Sequence, residues 1–75
     1  MKELVLYIAQ SLVDNKDAVT VEETEGPEAI ILELHVASED MGKVIGKQGR
    51  IAKALRAVVR AATTKNEKPV FVEIQ

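Results

Sequence analysis

A pair of glycines, Gly46 and Gly49, interrupts a helical pattern and constrains the fold more than any other feature of the sequence. The hydrophobic spacing predicts one short helix over residues 39–45 and a second helix over residues 50–64. Ser38 is placed to cap the first of these helices, with two acidic residues in its first turn. Because glycine readily adopts left-handed backbone conformations, Gly46 can end the first helix and Gly49 can turn the chain into the second. The sequence therefore predicts two helices joined by a tight, uncrowded loop.

The remaining segments predict one more helix and three strands. Residues 2–14 carry apolar side chains at helical spacing, whereas residues 18–24 and 29–37 alternate between apolar and polar side chains as strands do. The turn at residues 26–27 should join these strands antiparallel, and a last strand that opens at Pro69 can pair parallel to the second strand after a two-helix crossover. We therefore expect an α+β fold of order αββααβ, with a three-stranded mixed sheet covered on one face by three helices.

The size of the chain limits how it can be stabilised. Its 75 residues are expected to form a single domain over residues 1–75, and a domain of this size buries only roughly 60% of its unfolded surface. Cysteine is absent, so neither a disulfide nor a thiolate metal site is available. The apolar run at residues 4–9 is too short to span a membrane, and we expect a cytoplasmic protein that is stabilised by packing alone or by packing against a partner subunit.

Charge is distributed unevenly along the chain. The net charge is −2, but residues 1–37 carry two basic and eight acidic side chains, whereas residues 38–68 carry eight basic and three acidic ones. Such asymmetry suggests a localised site for a polyanion on an acidic body, although solvated helix faces would produce the same count. Charge alone leaves both interpretations open.

The loop between the two glycines has the chemistry of a phosphate site. Nothing bulky shields the backbone there, so a phosphodiester can approach the free N–H groups at the start of the second helix, where the helix dipole favours an anion. Lys47 and Arg50 add positive charge at the same point. A P-loop is excluded because Gln48 stands where that motif requires Ser or Thr.

Residues 44–49 read VIGKQG, and the chain continues as RIAKALRAVVRAA. This stretch resembles the V-I-G-x-x-G hallmark of the KH family, and the order of helices and strands looks like the type II arrangement of that family. The whole chain is similar to small free-standing bacterial KH-domain proteins. The resemblance implies that the loop clamps the backbone of about four nucleotides of single-stranded RNA. It also implies that the bases lie between the two motif helices and the second strand, flanked by the loop at residues 64–68.

The resemblance and the loop chemistry together define a candidate RNA-binding site. We predict a small, non-enzymatic, RNA-chaperone-like regulator that binds single-stranded RNA and uses no cofactor and no metal. The predicted RNA-binding residues are Lys43, Val44, Ile45, Gly46, Lys47, Gln48, Gly49, Arg50, Ile51 and Lys53.

The helix at residues 50–64 carries more apolar surface than one core contact needs. Its apolar positions sweep roughly 220° of the helix circumference, although about 100° or slightly more suffices for a core-facing stripe. Ile51, Leu55, Val59 and Ala62 suit the core, which leaves a face of small residues. The first helix of the same chain or a second subunit could cover that face, and the resemblance to KH proteins that form homodimers and pair with a second KH-containing protein favours the subunit. The predicted dimer interface comprises Ala54, Ala57, Val58 and Ala61.

Other polar and aromatic residues have ordinary structural interpretations. His35 alternates with core residues on its strand and is predicted to face solvent rather than to act as a catalytic base. Glu22, Glu33 and Glu73 are predicted to share the uncovered face of the sheet, where an exposed acidic surface is favoured over a metal site. Phe71 also points outward, either as a contact residue or as a lone exposed side chain.

Two compatible functions therefore stay open. The basic residues around the loop favour direct RNA binding. The wide apolar face of the last helix favours a protein-interaction subunit whose RNA binding is secondary. Of the two, we rank RNA binding first.

Overall fold

A computed structural model describes residues 1–63 and 68–75 of the chain. The elements follow the predicted order of helix, strand, strand, helix, helix, strand. Three short 3₁₀ turns, Lys16–Ala18, Ser38–Asp40 and Lys47–Gly49, link some of them. The main elements are α1 (Lys2–Leu12), β1 (Thr20–Glu25), β2 (Ile30–His35), α2 (Met41–Ile45), α3 (Arg50–Ala62) and β3 (Val70–Ile74).

The three strands form one mixed sheet in the order β1-β2-β3. β2 lies in the centre and pairs antiparallel with β1, so that Val21 faces Leu34 across the ladder. On its other side β2 pairs parallel with β3, where Leu32 lies beside Val72. The predicted pairing is confirmed, because α2 and α3 supply the crossover that a parallel pair of strands needs.

The hydrophobic core lies between the helices and one face of the sheet, as the alternation of the strands predicts. Leu32 and Leu34 of the central strand are fully buried, and alternate residues of β3 pack on the same side. The three helices cover this face and leave the other face of the sheet open. The helices contribute Val5 and Ala9 from α1, Val44 from α2, and Leu55 and Val59 from α3.

The start of α2 differs from the sequence prediction. Ser38 does not cap the helix; a 3₁₀ turn precedes α2, and the Ser38 hydroxyl lies 3.5 Å from the Glu39 carboxylate. Asp40, which was predicted to favour the helix dipole in the first turn, is only 1% exposed. Its carboxylate accepts hydrogen bonds from the backbone N–H groups of Asp14, at 3.3 Å, and Asn15, at 3.0 Å. Asp40 therefore ties the start of α2 to the segment that follows α1.

The core-facing stripe of α3 is rotated from the predicted one. Ala52, Leu55 and Val59 are the buried residues, whereas Ala62 is exposed and Ile51 is half-buried. The predicted last residue of this helix, Thr64, and most of the predicted loop at residues 64–68 lie outside the described residues. None of the helices in the described part of the chain is long and apolar enough to cross a membrane.

Candidate nucleic-acid interface

The loop between α2 and α3 turns at two glycines of positive φ. The N–H of Gly46 donates to the carbonyl of Gly42 at 2.8 Å and so closes α2, while its own backbone has φ 76° and ψ 172°. Gly49 is left-handed, with φ 74° and ψ 15°, and its N–H donates to the Gly46 carbonyl at 3.1 Å. These two hydrogen bonds give the loop a defined conformation before any ligand is present.

The two glycines are needed for different reasons. A Cβ added at Gly46 would lie 2.8 Å from the Cβ of Ile51 and 2.9 Å from its backbone nitrogen, which is closer than real Cβ contacts come. A Cβ added at Gly49 would meet nothing within 4 Å. Gly46 therefore lets the loop pack against α3, whereas Gly49 leaves open space over the backbone, where a phosphodiester can approach.

Gln48 has a left-handed backbone conformation, with φ 58° and ψ 24°. Such a conformation costs an L-residue roughly 1–2 kcal/mol, so the surrounding turns hold it in place. Its side-chain oxygen accepts a hydrogen bond from the Arg50 guanidinium at 3.2 Å. The Gln48 side chain is exposed and lies beside the positive charge at the start of α3.

The N-terminus of α3 offers backbone donors to an anion. The Arg50 N–H donates to the Lys47 carbonyl, and no described side chain caps the N–H groups that follow it in the first turn. Lys47 and Arg50 are both exposed at this point. Backbone donors, the helix dipole and two cations therefore converge where Gly49 leaves the chain uncovered.

A basic flank of α3, formed by Lys53, Arg56 and Arg60, lies beside the edge of the sheet. All three side chains are exposed, and the Arg56 Nε–H donates to the carbonyl oxygen of Val72 at 3.4 Å. Val72 belongs to the edge strand β3, whereas β2 is hydrogen-bonded on both sides. The strand that the basic flank of α3 contacts is therefore the edge strand β3. The expected position of the bases against the second strand stays a prediction.

Lys43 lies on the other side of α2 and contacts the end of α1. Its ammonium pairs with the Asp14 carboxylate and lies 3.5 Å from Oδ1 of Asp40. The hydrogen bond to Asp14 raises the pKa of Lys43. The backbone hydrogen bond from Asn15 lowers the pKa of Asp40, with a further hydrogen bond from Asp14 and the Lys43 charge acting in the same direction. These three charged groups hold α2 in place against α1.

Comparison with known proteins agrees with this geometry. A family model described as the KH domain of KhpA and KhpB matches residues 2–74. The chain belongs to the KhpA/KhpB KH-domain family. It is 66% identical to the RNA-binding protein KhpA of Clostridium perfringens and 64% identical to that of Caldanaerobacter subterraneus, in each case over 99% of both chains. It is 50% identical to the RNA-binding protein KhpA of Aquifex aeolicus, over 99% of this chain and 94% of that protein. No solved structure matches the chain.

In this KH domain the predicted site residues separate into two groups. Val44 is fully buried and contributes to the core, and the Lys43 ammonium pairs with Asp14 in the segment after α1, so neither side chain is directed to the loop at residues 46–49. Ile45 is 38% exposed directly before Gly46, and Ile51 packs against that glycine from the other side. The residues that the fold brings together at the accessible surface are Ile45, Gly46, Lys47, Gln48, Gly49, Arg50, Ile51 and Lys53.

The outer face of α3 in this KH domain is exposed. The small residues Ala54, Ala57 and Ala61 are accessible, and Val58 is 43% exposed. The sequence left open whether α1 of the same chain or a second subunit covers this face. The described residues of α1 leave the four side chains uncovered, so coverage by α1 is excluded.

Sequence reasoning missed two residues of this KH domain. Asp40 pairs with backbone groups that lie about 25 residues earlier in the chain, and only its spacing of three from Lys43 hinted at a pairing. Nothing in the sequence indicated the left-handed backbone of Gln48, because this conformation is favoured by Gly, Asn and Asp rather than by Gln.

Proposed function

We propose that this chain is a cytoplasmic, non-enzymatic KH domain that binds single-stranded RNA through the loop at residues 46–49 and the first turn of α3. The observation that carries the proposal is the open space over Gly49 beside a helix N-terminus that no described side chain caps. A phosphodiester accepts hydrogen bonds from those N–H groups, and Lys47 and Arg50 neutralise its charge. The relatives named RNA-binding protein KhpA support the same function.

From the loop the RNA strand follows the basic flank of α3 along the edge of β3. Lys53, Arg56 and Arg60 line one side of this path, and Val72 lies on the other. A base that enters the path displaces the Arg56 guanidinium from the Val72 carbonyl, which frees that edge group for the base. Lys43 acts as a positioning residue for α2 rather than as a phosphate ligand.

The affinity of the isolated domain is modest, because neither aromatic side chain lines the path. Tyr7 is exposed on α1, and Phe71 is exposed on the sheet face away from the helices. The domain therefore lacks the ~1–3 kcal/mol per base that aromatic stacking can add. Weak, sequence-tolerant binding of unpaired strands is what an RNA-chaperone-like regulator requires.

A second proposal is that the outer face of α3 forms a homodimer or pairs with a second KH-containing protein. Four exposed apolar residues on one face, Ala54, Ala57, Val58 and Ala61, favour it. Small side chains let two helices approach closely, and a domain of this size gains stability from burying such a face. Arg56 and Arg60 lie on the flank next to β3, so each subunit keeps its own RNA path.

The double variant Lys47→Asp/Gln48→Asp tests the RNA site. Fluorescence anisotropy with a labelled single-stranded RNA should show binding by the wild type and none by the variant, because two carboxylates stand where the phosphate must lie. Circular dichroism should show an unchanged fold, since both side chains are exposed. The variant Lys2→Asp/Gln75→Glu makes the same change in net charge outside the loop and should still bind. Equal binding by the folded loop variant and the wild type would place the RNA elsewhere.

A further inference from the structure

The face of the sheet opposite the helices, called the open face below, carries a row of three carboxylates. Glu22 lies opposite Glu33 in the antiparallel pair, and Glu33 lies beside Glu73 in the parallel pair. Like charges on directly neighbouring strands destabilise a sheet. The described ion-pair distances place one basic side chain at this row, the imidazole of His35, whose Nε2 lies 3.9 Å from the Glu33 carboxylate. Sheet stability therefore does not account for this row, which gives the open face a negative potential.

An apolar pair adjoins the acidic row on the open face. Phe71 of β3 lies beside Ile31 of β2 in the parallel register. The Phe71 side chain is 56% exposed and Ile31 is half-buried. Glu33 and Glu73 follow two residues later on the same strands, about 7 Å farther along at the rise of a strand. An exposed aromatic ring next to a charged row is the arrangement of a contact surface with an apolar anchor point and a polar border.

We propose that the open face docks a basic polypeptide segment that carries one aliphatic or aromatic anchor residue. The anchor packs on Phe71 and Ile31, and Lys or Arg side chains of the segment pair with Glu22, Glu33 and Glu73. Charge complementarity identifies this occupant, because the phosphates of a nucleic acid and the side chains of an acidic peptide are repelled by the same row.

The proposed docking surface goes beyond the RNA-binding function and is spatially separate from it. The loop at residues 46–49 and α3 lie on the helical side of the sheet, whereas the open face lies on the other side. One molecule of the domain can therefore hold an RNA strand and a basic protein segment at the same time. Basic segments are common in proteins that themselves contact RNA, so the domain would bring such a protein and an RNA strand together.

The test uses the full chain and a defined probe, a synthetic nine-residue peptide of alternating lysine and alanine with one central phenylalanine. Titration of the labelled protein should shift the backbone amide signals of β2 and β3 that flank Glu33 and Phe71. An otherwise identical peptide with glutamate in place of lysine should leave them unchanged. Binding of the lysine peptide should weaken as salt increases, because exposed ion pairs are screened.

Two variants measure separately how much the carboxylates and the Phe71 ring contribute to peptide binding. Glu33→Gln/Glu73→Gln keeps the side-chain size and removes two charges, and Phe71→Ser removes the ring. Each should weaken peptide binding roughly tenfold, the effect of losing a central interface residue. The glutamine variant should melt no lower than the wild type, because it relieves repulsion between like charges. It should also bind single-stranded RNA unchanged, while Lys47→Asp/Gln48→Asp should bind the peptide unchanged.

Four results would overturn the proposal. The peptide could fail to bind at millimolar concentration, or the folded glutamine variant could bind it as well as the wild type does. Sheet signals that change with protein concentration in the absence of peptide would identify a second copy of this chain as the occupant. Sheet signals that move on addition of single-stranded RNA would assign the open face to RNA. The first three results leave the RNA proposal for the loop at residues 46–49 untouched. The fourth is distinguished from failure of that proposal by Lys47→Asp/Gln48→Asp, which should still lose RNA binding if the loop holds the RNA.

Discussion

The buried carboxylate of Asp40 accepts a hydrogen bond from the backbone N–H of Asn15 at 3.0 Å, and this contact joins the start of α2 to the segment that follows α1. Lys43, one turn later, pairs with Asp14 and Asp40 together. α2 has only five residues, too few to be stable by itself. The position of the loop at residues 46–49, which begins where α2 ends, therefore depends on this contact.

Replacing Asp40 with Asn should destabilise the fold. The amide keeps only one acceptor oxygen for two backbone donors and removes the charge that pairs with Lys43. We expect the melting temperature to fall by roughly 5–10 °C in thermal unfolding followed by circular dichroism. Glu39→Gln, an exposed neighbour on the same turn, serves as the control and should melt within about 2 °C of the wild type. Equal melting of both variants and the wild type would show that the Asp40 contacts are dispensable.

Asp40 should also make stability depend on pH in the acidic range. Hydrogen bonds from Asn15 and Asp14 lower the pKa of Asp40 in the folded state below the value of about 3.9 for an unfolded chain. The unfolded chain therefore binds the proton more readily, so this stabilisation is complete above the unfolded pKa and is lost as pH falls through the folded pKa. Urea unfolding from pH 7 to pH 3 should show a steeper loss for the wild type than for Asp40→Asn. Parallel curves would contradict this assignment, since the other carboxylates are common to both proteins.

The two glycines of the loop should respond differently to alanine. Gly46→Ala forces a side chain into a backbone conformation that only glycine adopts readily and against Ile51, which should cost about 2–4 kcal/mol of unfolding free energy. Gly49→Ala meets open space and should cost only the left-handed strain of about 1–2 kcal/mol. Its methyl group projects where the phosphodiester approaches, so the folded Gly49→Ala protein should bind RNA more weakly. Urea unfolding and anisotropy measure the two effects, and equal destabilisation by both substitutions would show that the Ile51 contact is unimportant.

The affinity for RNA should fall as salt increases, but only moderately, because few basic side chains are expected to contact phosphates. The proposed site brings two to four basic side chains to phosphates, so the slope of log K against log salt should be about −1.4 to −2.8 for a single strand. A single strand should bind more tightly than a duplex of the same sequence, because the path along α3 admits unpaired bases. Anisotropy titrations at several salt concentrations measure both quantities. Salt-independent binding, or tighter binding of the duplex, would contradict the proposed site.

Ala61→Phe should prevent dimerisation without unfolding the monomer. Ala61 is exposed on the outer face of α3, so a larger ring meets no neighbour in the monomer but blocks close approach of a second helix. Sedimentation at equal concentration should give a dimer for the wild type and a monomer for the variant, with unchanged circular dichroism. Ala61→Ser keeps the side chain small and should remain dimeric. A monomeric wild type at high micromolar concentration would refute this interface.

The sequence predicted best those features that depend on interactions between residues close together in the chain. Strand alternation and the two glycines predicted the sheet and the loop, because each signal depends on residues close together in the chain. Asp40 was misplaced because its partners at Asp14 and Asn15 meet it only in the folded chain. The expected position of the bases against the second strand stays a prediction, to which the structure adds that Arg56 of α3 contacts the edge strand β3.

The parallel pairing of β2 with β3 has a consequence for how the chain folds. β1 and β2 are joined by a short turn and pair by closing a small loop, whereas β3 reaches β2 only after α2, the loop and α3 have been enclosed between them. Non-local pairing of this kind is slow, because the entropy of closing a long loop is lost before the new contacts form. We therefore expect the hairpin to form early and β3, the strand beside the proposed RNA path, to dock last. If RNA binds along this path, binding should appear only after this last step and would report that folding is complete.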